Sequence, residues 1–135
     1  MSQSILIQTS LKFSANIIKL QHYLLKEKKE TIISKQIIRS DTSIGANINE
    51  ANYGSSKADF IAKMHIALKE CAETEYWIRL LKESEYITDE IFEKLIKECL
   101  AIKKMLVATL NTSKRTWLKI WKSEPYRFTL FTIHY

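Results

Sequence analysis

Three histidines and two cysteines are the residues of this 135-residue chain best suited to metal binding or nucleophilic chemistry, and their spacing supports neither. A dinuclear metal site in a helical bundle needs Glu-x-x-His on facing helices, because inward oxygens and imidazoles must hold both ions. No Glu here has His three residues on, and His22, His65 and His134 are scattered. Cys71 and Cys99 fall inside apolar periodic patterns, where free cysteine usually behaves as a small buried hydrophobe; a disulfide or a metal role is the open alternative. A serine or cysteine nucleophile needs a positioned base, yet the chain has no nucleophile elbow, no glycine-rich phosphate cradle and no triad motif. The reading is a protein that binds rather than catalyses, with no cofactor and no metal.

Binding chemistry is better supplied. The formal net charge is +6, carried by residues 1–30 (+3) and 115–135 (+3), while 31–114 balance. A contiguous basic surface neutralises phosphates and releases counterions, so RNA or DNA is the partner class this charge suggests. Lys12, Lys19 and Lys26 step by seven along one helical face, and Arg39, Arg115, Lys119 and Lys122 are further candidates. In the tail, Trp117, Trp121, Tyr126, Phe128, Phe131 and Tyr135 alternate with cations, which suits base stacking or packing on an apolar patch. Asn47 and Glu50 border an apolar face, as a register-fixing polar network or a subunit boundary would require. Glu70, Glu73 and Glu75 interleave with Lys69 and Arg79, so pairing within the chain is expected, with Glu75 and Arg79 in the favourable i, i+4 order. Adjacent Tyr76 and Trp77 cannot share one seam, which leaves one of them for another subunit.

The elements that place these residues read as helices. Two Gly and one Pro supply few turns, whereas Ile, Leu, Lys and Glu suit helices. Phe13, Ile17, Leu20 and Leu24 mark a first helix over about residues 11–28, and Ile33, Ile37, Ile44 and Ile48 a second over 31–53, interrupted by Gly45 where a close approach or a bend fits. Ser56 caps a third over 57–84, whose seam of Phe60, Met64, Ala67, Cys71, Thr74, Ile78 and Leu81 alternates four and three without a break. Thr88 caps a fourth over 88–112, with Phe92, Leu95, Cys99, Ile102, Leu106 and Thr109 as its seam. Short connections force sequential helices antiparallel, so residues 1–114 are expected to form an all-α, up-down-up-down four-helix bundle, followed over 115–135 by an irregular, basic, aromatic tail. The first residues, MSQSILIQTS, lack a basic n-region and no long apolar run follows, so the expected location is cytoplasmic, with no membrane partner.

Residues 38–81, IRSDTSIGANINEANYGSSKADFIAKMHIALKECAETEYWIRLL, resemble a four-helix-bundle family that includes proteins encoded in intervening sequences of bacterial 23S rRNA genes, also labelled S23 ribosomal proteins. The most specific parts are Arg39-Ser40, Thr42 through Ile48 with Glu50, the Ser56 to Phe60 segment, Ala67 through Glu70, and Glu73 through Trp77. Looser similarity covers about residues 10–112. Asp41 stands where Gly is frequent and Cys71 where Ala is usual. The resemblance implies a ring, typically a pentamer, in a family whose retroelement relatives bind a reverse transcriptase and nucleic acid; the ribosomal label follows gene location. The leading expectation is a homo-oligomeric accessory factor that binds nucleic acid or docks a protein. The alternative is a purely structural assembly module.

Overall fold

The computed structural model describes residues 3–54 and 56–123, which form four helices and no strand: α1 (Gln3–Lys26), α2 (Ile32–Ala51), α3 (Lys57–Glu83) and α4 (Asp89–Ser123). Each packs on its neighbours in sequence, and α4 returns against α1 to close an antiparallel four-helix bundle. One core runs its length, with Phe13, Ile17 and Leu24 of α1 against Ile37, Ile44 and Ile48 of α2, Met64 and Ile78 of α3, and Ile102 and Leu106 of α4. Removing these side chains from water is the main force holding the helices together.

Two helices are longer than their patterns announce. Leu6 and Ser10 continue the buried stripe of Phe13, Ile17, Leu20 and Leu24, so α1 begins at Gln3 rather than near residue 11. Ser10 hides the periodicity because it is polar, and its hydroxyl donates to the Ile7 carbonyl at 2.8 Å. It also lies where α1 passes close to α2, since a Cβ on Gly45 would sit 3.5 Å from its Oγ. Likewise Leu110 and Ser113 are buried beyond Leu106, and α4 continues to Ser123 instead of stopping near residue 112. Residues 115–123 are therefore helical, not irregular. The remaining tail residues lie outside the described residues.

Caps and turns follow local chemistry. The Ser56 hydroxyl accepts the Asp59 N–H at 3.1 Å, and Thr88 accepts that of Ile91 at 3.2 Å, as expected. Thr31 makes no side-chain cap on α2; the Glu30 carboxylate instead accepts the N–H groups of Ile32 and Ser34, at 3.2 and 2.9 Å. The end of α3 is a Schellman motif: Tyr86 N–H reaches the Leu81 carbonyl and Glu85 N–H that of Lys82, with Glu85 at φ 64°. In the α3 seam Phe60 is half-buried, and Ile61 takes the inward position expected of it. A ring at the first turn of α3 reaches the bundle edge, where Lys57 Nζ stands 5.5 Å from its centroid.

Candidate interaction surface

The outward face of α1 carries two rows with the same seven-residue step. Lys12, Lys19 and Lys26 are exposed, and none forms an ion pair among the described residues. Beside them Leu11, Ile18 and Leu25 are 64%, 41% and 38% exposed. Because 13, 17, 20 and 24 turn inward, both rows must face out. The apolar row is the feature that sequence reading misses. It is legible only once the buried stripe is fixed, since a step of seven between large aliphatic residues is also what a core seam looks like.

Across α2 and α3 several charges are paired within the chain. The Arg39 guanidinium donates to Glu70 at 3.3 Å and to Glu73, and the Trp77 indole N–H donates to the same Glu73 oxygen at 3.0 Å. Lys63 pairs with Glu50 at 3.1 Å. Glu75 takes Arg79 and Lys103, both at 3.0 Å; burial pushes its carboxyl up, but these two cations hold it below the usual range. Thus Arg39, a polyanion candidate by sequence, is occupied by its own carboxylates, and Glu50 is exposed in an ion pair rather than in a core network. Asn47 donates to the Ser43 carbonyl of its own helix. Thr42 and Ser43 also bond back to the preceding turn. Tyr76 is left out: it is 59% exposed and meets Trp77 edge-on, with centroids 5.2 Å apart.

Arg115 and Lys119 are exposed on the last turns of α4, four residues apart on one helical face. The side chains of Trp117, Trp121 and Lys122, and all of Tyr126, Arg127, Phe128, Phe131, His134 and Tyr135, lie outside the described residues. Of the other histidines, His22 is exposed on α1, while half-buried His65 is held below its ordinary pKa by burial and by Lys114. Among the described residues no group of three or more His, Cys, Asp or Glu side chains could hold a metal, and no helix is long and apolar enough to cross a membrane.

The bundle interior holds an anomaly. Asp41 is fully buried, and neither carboxylate oxygen meets a hydrogen-bond partner of good geometry. Burial lifts its pKa to about 7, against a weaker opposing pull from the Ser14 hydroxyl. A carboxyl buried in this way costs stability whenever it ionises.

The described residues thus form an antiparallel four-helix bundle with exposed cations on α1 and near the end of α4. Residues 2–108 match the sequence model of the 23S rRNA-intervening sequence protein family, and the chain belongs to that family. A solved structure from Bacteroides thetaiotaomicron, a protein of unknown function from the S23 ribosomal protein family, is 47% identical. The match covers 82% of this chain and 99% of that one, with a TM-score of 0.80. No protein of curated function matches the chain.

Proposed function

We propose that the protein is a non-enzymatic, self-assembling bundle that serves as an accessory factor, holding a nucleic acid on the lysine rows of several copies. The paired rows on α1 carry this reading. Exposed aliphatic residues repeating every seven positions suit burial against another helix, and a second copy of the chain brings the same surface. The adjacent Lys12, Lys19 and Lys26, unpaired within the chain, then recur around the assembly, so weak phosphate contacts add through multivalency. The pairing of Arg39, Lys63, Arg79 and Lys82 with carboxylates of the same chain favours the second reading, a structural assembly module with no polyanion partner.

Retention of single-stranded RNA as salt is raised separates the two. The first reading expects binding that weakens steeply with salt and disappears in the Lys12→Glu, Lys19→Glu, Lys26→Glu variant. Equal retention by parent and variant would move the binding to the end of α4 or remove it from this surface.

A further inference from the structure

The seam that closes the bundle, between α1 and α4, is open along its outer side. Two cavities of about 600 and 280 Å³ lie along it, sharing Lys94 on their walls. One is floored by Phe13 beside Ala101, the other by Leu20, Tyr23, Ile91 and Leu95. Among the described residues a polar link across the seam is the Asn16 amide, which donates to both oxygens of Glu98 at 3.1 and 3.0 Å. Taken together the two cavities line a groove along α1 from Thr9 to Tyr23, about 14 residues or about 21 Å, crossed by the Asn16–Glu98 link. That is the length of a four-turn helix.

Charge identifies the guest. Lys12 and Lys19 stand on the α1 rim, Lys94 and Lys97 on the α4 rim, all exposed and none in an ion pair among the described residues. Glu93 and Glu98 share the α4 wall, with Glu98 already held by Asn16, so the rim keeps a positive excess. An apolar floor between cationic rims is the complement of a helix with an aliphatic stripe flanked by carboxylates. A nucleic acid would use the rims and leave the floor bare.

We infer that the α1/α4 groove is a docking site for an acidic amphipathic helix of a partner protein. This goes beyond the polyanion reading and shares only Lys12 and Lys19 with it, so the test rests on Lys94, Lys97 and Ala101. The probe is a fluorescent designed peptide of about 14 residues, with Leu on one helical stripe and Glu on its flanks, alongside a scrambled peptide of equal composition. Anisotropy should show the patterned peptide binding at least about tenfold tighter than the scrambled one, with a gain in peptide helicity by circular dichroism. Lys94→Glu with Lys97→Glu should weaken it at least about tenfold. Ala101→Arg adds positive charge but fills the floor at an exposed position, so it too should weaken the peptide, while salt-sensitive RNA binding is kept. Equal binding of the scrambled peptide, or tighter binding by Ala101→Arg, would reduce the site to bulk charge and overturn the inference. RNA that displaces the peptide and fails to bind the Lys94→Glu, Lys97→Glu variant would give the groove to nucleic acid. A fall in assembly mass in that variant would give it to a second copy.

Discussion

The thiols of Cys71 and Cys99 face each other across the α3/α4 seam, with Sγ atoms 3.9 Å apart and each directed at the other's carbonyl oxygen at 3.6 Å. Both residues are fully buried. The Cys71 thiol beside it, together with burial, pushes the Cys99 thiol far above its ordinary range, so the nucleophilic thiolate is scarce. Native protein at pH 8 should therefore resist iodoacetamide, and both cysteines should be modified together once denaturant opens the bundle. Mass spectrometry of the quenched reaction measures this. Rapid single labelling of the native chain would contradict the buried pair.

Asp41 makes stability depend on pH with a defined sign. Its folded pKa, about 7, lies above the ordinary 3.8, so the unfolded chain ionises first as pH rises. Stability is full below about 4, falls through the interval between the two values and levels off above 7, a loss of about 4 kcal/mol. Ser14 of α1 and the Cys71 and Cys99 thiols belong to this part of the core, and Cys99 is pushed up by Asp41 as well as by Glu75. In thermal melts from pH 4 to 8, Asp41→Asn should flatten this slope and melt higher than the parent at pH 8. An unchanged slope would show that the carboxyl is solvated.

Met64 has no solvent exposure and sits mid-seam in α3. Met64→Ala should cost about 2–5 kcal/mol in denaturant unfolding, as a large-to-small change with limited collapse. A loss within about 0.5 kcal/mol, the usual range for surface positions, would contradict its place in the core.

Met64 also shows why the fold was legible. Residues 64, 67, 71, 74, 78 and 81 alternate three and four, and all are buried; Ser56 and Thr88 cap as their types suggest. Legibility fails where a polar residue occupies an inward place. Ser10 and Ser113 broke the pattern and shortened the expected α1 and α4, and buried Glu30, two residues before α2, gave no sign that its carboxylate would accept the first N–H groups of that helix. The surface was harder. Lys12, Lys19 and Lys26 were visible as a row, but Arg39 gave no sign that residues 31 and 34 positions away would neutralise it, because such pairing depends on how α2 lies against α3.

Glu85 adopts a left-handed conformation at the end of α3, where a side chain crowds the backbone and glycine does not. Glu85→Gly should raise stability by about 1 kcal/mol, since the Schellman hydrogen bonds from Tyr86 and Glu85 remain available. Chemical denaturation reads this directly. A loss of stability would mean that the carboxylate contributes more than its backbone costs.

Assembly is the claim on which the proposed function stands, because Leu11, Ile18 and Leu25 are exposed in the single chain and because isolated lysine rows hold phosphate weakly. Light scattering on the purified protein at micromolar concentration measures the particle mass directly. The expected result is a uniform species at a multiple of 15.8 kDa, five copies by family resemblance, which dissociates when Leu11, Ile18 and Leu25 are replaced by Gln. A stable 15.8 kDa monomer from the parent chain would contradict it.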